Sequence, residues 1–95
     1  MREWLRELSL ADKRIIGEDL KTVEYGWPVG MPLCRSIGDG LWEVRSDLLN
    51  GRTARVLFCI AEGYIVLLHG FIKKTQKTPD SDLALARQRM KELRS

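Results

Sequence analysis

Residues 52–72 read RTARVLFCIAEGYIVLLHGFI. Two runs of strand composition, Arg52–Ala61 and Tyr64–Ile72, are separated by Glu62-Gly63, a pair that favours a tight turn. Both runs are apolar on the two faces of their central residues, which is typical of strands covered on both sides. This stretch therefore predicts an antiparallel hairpin at the centre of a sheet.

Two shorter strands are predicted upstream of this hairpin. Cys34–Ile37 and Leu41–Asp47 have the alternating or β-branched composition of strands, and a Gly38-Asp39-Gly40 turn separates them. All the connections are short, so we expect consecutive strands to pair with their neighbours. The four strands are thus expected to form one small antiparallel sheet.

Helical patterns flank the four strands. Residues 2–8 and 9–23 carry apolar side chains at helical spacing, and the segment from Ser9 to Asp12 resembles a capping box. Downstream, Pro79 and two aspartates suit the first turn of a third helix. The predicted fold class is α+β: an N-terminal helical hairpin packed on a small antiparallel sheet, with a C-terminal helix, in a single domain of residues 1–95.

Positive charge is concentrated towards the C-terminus. The net charge of the 95 residues is only +3, but residues 63–95 contain seven Lys or Arg and three Asp or Glu, against nine and ten in residues 1–62. This excess favours an acidic partner or a nucleic acid. Since no apolar run reaches membrane-spanning length and the N-terminus lacks a signal-peptide core, we expect a cytoplasmic protein without membrane association.

The sequence contains no motif for a metal, nucleotide or other cofactor. Cys34 and Cys59 lack the spacing of metal ligands and are expected to be reduced thiols. His69 is the only histidine, and the turn glycines do not form a phosphate-binding loop. We therefore expect no cofactor and no metal, and any enzymatic chemistry to be metal-free.

The loop between the second and third strands determines which arginines share a face. A two-residue Asn50-Gly51 turn would place Arg45 opposite Val56, whereas a five-residue loop over 48–52 pairs Arg45 with Arg55. The longer loop is preferred because it keeps five apolar side chains together against the helices. These are Trp42, Val44, Val56, Phe58 and Ile60. In that register two arginines lie side by side, where like charges repel unless an anion lies between them.

The sequence does not decide on which face of the sheet His69 lies. A three-residue Ala61–Gly63 loop would set His69 beside Arg55, whereas a two-residue Glu62-Gly63 turn would set it opposite Val56. A histidine within an apolar strand is more often a hydrogen-bonded core residue than a catalyst. The lysines that follow the strand are either solubilising charges or binding groups. They are Lys73, Lys74 and Lys77.

Arginine, histidine and lysine are the residue types required by one metal-free reaction, the cleavage of RNA through its own 2′-hydroxyl. That reaction needs a base for the hydroxyl, cations for the developing negative charge and an acid for the leaving oxygen. Arginine can hold a phosphate through two hydrogen bonds, while lysine acts as a point charge or a donor. Arg45, Arg55, His69 and the neighbouring lysines supply these types.

Three sequence blocks resemble a known family. They are Gly40–Arg45 (GLWEVR), Arg55–Phe58 (RVLF) and Leu68–Pro79 (LHGFIKKTQKTP). In this order they resemble the HigB-like, phage-derived branch of the RelE/ParE toxin superfamily, and Ala86–Lys91 is similar to that family's last helix. The resemblance extends over residues 2–93.

This resemblance implies the toxin of a type II toxin–antitoxin system. Toxins of the branch are ribosome-dependent, metal-free mRNA endonucleases that block translation, and a helix-turn-helix (HigA-like) antitoxin neutralises them. The implied partners are therefore that antitoxin, mRNA and the ribosome. Two alternatives are a non-catalytic, ParE-like toxin that binds gyrase and a degenerate toxin that acts only as an antitoxin-binding partner.

The resemblance also assigns roles to residues. It implies that Arg45 and Arg55 hold the scissile phosphate, and it places the lysines in the family's basic block. The catalytic candidates are Arg45, Arg55, His69 and Lys74. The RNA-binding candidates are Arg52, Lys73 and Lys77. RelE uses a tyrosine near its C-terminus for proton transfer, but the last helix here has none, so His69 or a lysine must take that role.

Relatives in the superfamily begin with a strand before the first helix, whereas this chain begins in a helical pattern. A RelE-like fold whose first strand is missing would leave one edge of the sheet open. We therefore expect an edge that a partner or a second copy of the chain could fill, with a homo-oligomer as one outcome.

Overall fold

Ser9 begins the longest helix. Its side-chain oxygen accepts a hydrogen bond from the backbone N–H of Asp12 at 3.2 Å, which is the predicted N-cap. In the computed structural model, which describes residues 2–26, 33–73 and 79–94, this helix is α2, Leu10–Gly26. It follows α1, Arg2–Glu7. The two predicted N-terminal helices are confirmed.

Four strands follow, and each begins and ends within one residue of its predicted bounds. They are β1 (Cys34–Gly38), β2 (Leu41–Asp47), β3 (Thr53–Ala61) and β4 (Tyr64–Lys73). They form an antiparallel sheet in the order β1-β2-β3-β4, so the hairpin contributes the long central strand β3. Helix α3, Asp80–Arg94, completes the predicted α+β fold.

The β2–β3 register is the one preferred from the sequence. Val44 pairs with Val56, and Arg45 pairs with Arg55. The connection runs through a tight turn at Leu49–Gly51, in which Asn50 adopts a left-handed φ of 63°. Asparagine tolerates that region better than most residues, so the sequence suits the longer connection.

The sheet is covered on both faces by apolar side chains. On the face packed by α1 and α2, the buried residues are Ile16, Val23, Cys34, Val44, Leu48, Ala54, Val56 and Phe58. On the face packed by α3, they are Leu41, Leu57, Cys59, Leu68, Ala86 and Met90. The two cysteines are free and lie in different clusters, which agrees with the prediction of thiols. Burial raises the pKa of Cys34, so that thiol stays neutral.

None of the described helices is both long and apolar enough to cross a membrane.

Candidate functional site

Helix α3 covers only one end of its sheet face, and the other end is basic. The apolar side of α3 packs on Leu57 and Cys59. Arg55, two residues before Leu57, lies on the same face, with Arg45 as its neighbour on β2. Arg35 and Lys73 occupy that face on the two edge strands, as the strand pairing shows. We call Arg35, Arg45, Arg55 and Lys73 the basic patch.

A buried carboxylate lies beneath this basic patch. Glu43 is 1% exposed and accepts a hydrogen bond from Nη1 of Arg55 and a longer one, 3.5 Å, from Nη2 of Arg35. A buried charge is tolerated only when it is paired in this way. Glu43 therefore holds two guanidinium groups in place, and it supplies part of the negative charge that adjacent arginines require.

The patch retains hydrogen-bond donors that the described residues do not use. Nε of Arg55 has no partner among the described residues, but it is buried, and the whole residue is only 7% exposed. Arg45 bonds Asp47 through Nε at 3.2 Å and leaves about half of its side chain exposed. Unused donors on fixed guanidinium groups are suited to the oxygens of a phosphate.

Lys73 has an altered acidity because of its position at the end of β4. Partial burial lowers its pKa, and the positive charges of Arg55, Arg35 and Arg45 lower it further, while Glu43 opposes them. An ammonium group with a lowered pKa releases its proton more readily, which is the property of a general acid. Lys73 thus becomes a candidate for proton transfer in addition to the RNA binding predicted for it.

His69 lies on the same face of the sheet as Arg55 because of an irregularity in the β3–β4 register that the sequence did not predict. The turn has two residues, since Ala61 pairs with Tyr64, and a regular ladder would then set His69 opposite Val56. A β-bulge at Leu68 shifts the register by one, so that His69 pairs with Leu57. Both partners considered from the sequence, Arg55 and Val56, were therefore wrong.

Two residues of α3 form hydrogen bonds with Leu68 and His69 at the bulge. Arg89 donates from Nη1 to the backbone carbonyl of Leu68, at 2.6 Å, and thus bonds the backbone at the bulge. Asp82 places Oδ1 at 2.6 Å from Nε2 of His69. The sequence had suggested Asp82 only as a favourable charge at a helix N-terminus. Its proximity to His69 depends on the docking of α3, which no local pattern encodes.

Arg52 is held away from the basic patch by an ion pair. It donates from Nη1 and Nη2 to the two carboxylate oxygens of Asp12, both at 3.0 Å. The hydrogen bonds from Arg52 lower the pKa of Asp12, against the burial that raises it. This pair joins α2 to the β2–β3 loop, so Arg52 has a structural contact, and RNA binding by it stays a prediction. Lys74 and Lys77 lie outside the described residues.

Within residues 2–26, 33–73 and 79–94, no group of three His, Cys, Asp or Glu side chains is arranged to hold a metal ion. The described site contains guanidinium, ammonium, imidazole and carboxylate groups.

A protein-family model matches most of the chain. The family model described as "Phage derived protein Gp49-like (DUF891)" matches residues 3–91. The matched range runs from α1 into α3 and includes the basic patch, His69 and Asp82. No curated protein matches the chain.

Proposed function

The chain belongs to the Gp49-like family of phage-derived proteins, and from that premise we propose that it is the toxin of a type II toxin–antitoxin system. Family membership is consistent with a RelE/HigB-type toxin. We further propose that the activity is metal-free cleavage of mRNA on the ribosome, which blocks translation.

One observation carries the enzymatic part of this proposal: His69, Arg55 and Lys73 follow one another along a single sheet face. His69 and Lys73 are four residues apart on β4, and Arg55 is paired with Phe71 between them. Successive same-face residues of a strand are about 7 Å apart. A base, a phosphate-binding cation and an acid thus lie in series, in the order that in-line transfer at phosphorus requires.

The proposed reaction uses these groups as follows. The 2′-hydroxyl gives its proton to His69 while its oxygen bonds to phosphorus, and the bond from phosphorus to the 5′-oxygen breaks. The departing 5′-oxygen takes a proton from Lys73 or from its neighbour Lys74. Arg45 and Arg55 stabilise the extra negative charge on the phosphoryl oxygens. The products are a 2′,3′-cyclic phosphate and a free 5′-hydroxyl.

The proposed partners follow from the same family. They are a helix-turn-helix antitoxin, mRNA and the translating ribosome, which places the activity in the cytoplasm. Among the described strands, β4 is at an edge of the sheet, and its residues Tyr64–Leu68 carry no charge. Such an edge can accept a further strand, so we propose it as a contact surface for a partner or a second copy of the chain.

Adding the purified protein to a reconstituted translation reaction tests the enzymatic proposal. We expect primer extension to show cuts in translated mRNA and none in free mRNA. Arg55→Lys should lower the cleavage rate by about 10²-fold or more, because lysine cannot bind the phosphate with two parallel hydrogen bonds. Arg14→Lys, on an exposed position of α2, is the matched control and should cut normally.

Intact mRNA at saturating protein would overturn the nuclease proposal. A supercoiling assay run in parallel then identifies the gyrase-binding alternative. If the folded protein neither cuts mRNA nor inhibits gyrase, and its expression without antitoxin leaves growth normal, the degenerate toxin is favoured instead.

A further inference from the structure

Two contacts hold the imidazole of His69, and a third holds the backbone beside it. Asp82 bonds Nε2 at 2.6 Å, and the ring of Phe71 stacks on the imidazole with centroids 5.9 Å apart and planes inclined by 25°. The bulge that turns His69 towards this face is itself held by the hydrogen bond from Arg89 to the Leu68 carbonyl. Ring position and ring plane are therefore both fixed by the fold.

The contact with Asp82 also determines which nitrogen carries the proton. A carboxylate accepts hydrogen bonds and cannot donate them, so Nε2 must be the protonated nitrogen. In a neutral imidazole the other nitrogen, Nδ1, is then an acceptor. No described residue is hydrogen-bonded to Nδ1, and the side chain of His69 keeps 17% of its surface exposed.

We infer that Asp82 is a positioning residue for His69: it keeps the proton on Nε2 and thereby presents Nδ1 as the atom that accepts the proton of the ribose 2′-hydroxyl. This inference rests on the proposed function. When Nδ1 takes that proton, the ring becomes a cation bonded to the carboxylate of Asp82, which stabilises it at the moment it forms. Asp82 does not touch the RNA and receives no proton.

Nitrogen-15 NMR of the intact protein tests the tautomer directly. The chain has a single histidine, so its two ring nitrogens give one assignable pair of signals. At a pH where the imidazole is neutral, we expect the wild type to show a protonated Nε2 and a bare Nδ1. Asp82→Ala should shift the population towards a mixture of tautomers. Asp80→Ala removes an exposed aspartate of the same helical turn and should leave the signals unchanged.

Cleavage kinetics provide the second readout. Asp82→Ala should lower kcat by about 10-fold to 10²-fold, a part of the roughly 10²–10⁴-fold that a general base contributes, with KM changed by less than about twofold. A protonated Nδ1 in the wild type, or an Asp82→Ala variant with unchanged signals and unchanged kcat, would overturn the inference. If the wild type cuts no mRNA, the proposed function fails on its own, and the nitrogen signals still decide whether Asp82 sets the tautomer.

Discussion

Arg55 neutralises a buried carboxylate, and its buried Nε has no partner among the described residues. Removal of one member of a buried ion pair leaves its partner uncompensated, and this is strongly destabilising. Glu43 would retain the longer contact with Arg35, which is half-exposed. We therefore expect Arg55→Ala to lower the free energy of unfolding by about 3 kcal/mol, as measured by urea denaturation.

Arg45→Ala is the matched control for this prediction. Its partner Asp47 is 75% exposed, and exposed ion pairs contribute little, so the loss should stay within about 0.5 kcal/mol. Equal losses in the two variants would contradict the structural role given to Glu43. The same reasoning makes Arg55→Lys, which keeps a charge beside Glu43, the better variant for activity measurements.

Ser46 supplies a prediction of the opposite sign. Its hydroxyl is buried, and it has no hydrogen-bond partner among the described residues. Because a buried polar group without a partner is destabilising, Ser46→Ala should leave the free energy of unfolding unchanged or raise it by up to about 1 kcal/mol. A loss above about 1 kcal/mol in the same urea titration would mean that the hydroxyl is bonded in solution.

At the scale of elements, two glycines in different elements respond oppositely to the same substitution. Gly70 of β4 lies against the indole of Trp4 on α1, and a Cβ there would overlap the ring. Gly17, inside α2, has no atom within 4 Å of the corresponding position. We expect Gly70→Ala to destabilise by about 1–3 kcal/mol through overpacking and Gly17→Ala to stabilise by about 0.5–1 kcal/mol through helix propensity. Thermal unfolding of both variants checks the signs, and a stable Gly70→Ala protein would contradict the close contact between α1 and β4.

The pair of Asp12 and Arg52 ties α2 to the β2–β3 loop in a pH-dependent way. Arg52 lowers the pKa of Asp12 in the folded protein. The stabilisation is therefore fully present above the pKa of an unfolded aspartate, about 3.9, and is lost as the pH falls through the lower folded value. We expect the stability difference between the wild type and Arg52→Gln to be clear at neutral pH and to shrink below about pH 4.

Urea titrations of both proteins across that pH range measure the difference. The control, Arg45→Gln, faces an exposed aspartate and should differ little from the wild type at any pH. A difference between wild type and Arg52→Gln that stays constant down to about pH 3 would contradict the assignment of the effect to Asp12.

The sequence predicted the strands and the β2–β3 register because side-chain alternation penalises any slip. It did not predict the bulge at Leu68. The residues around the bulge are apolar on both faces. A one-residue shift there moves no polar side chain into the core, so the pattern of side chains does not distinguish the two registers. The carbonyl of Leu68 is bonded by Arg89 of α3, which lies 21 residues further along the chain. Interactions of this kind depend on tertiary packing, and for the same reason the contact of Asp82 with His69 was not predicted.

On the scale of the whole molecule, the two faces of the sheet have different roles. The face under α1 and α2 is filled along its length by apolar side chains. On the opposite face, the apolar side of α3 covers Leu57 and Cys59. It does not extend over the basic patch. The sequence identified the basic residue types of the site and their strands. The buried carboxylate beneath them and the aspartate beside His69 emerged only from the assembled fold.

The most direct test of the proposed activity is to map the cut in a translated mRNA and then to replace the ribose before the scissile phosphate by a 2′-deoxyribose. We expect the unmodified mRNA to be cut there, leaving a 2′,3′-cyclic phosphate that mass spectrometry of the fragment detects, and the deoxy-substituted mRNA to stay intact at that position. Cleavage at the 2′-deoxy position, or an unmodified mRNA that is never cut, would contradict the assignment of the basic patch and His69 to RNA cleavage.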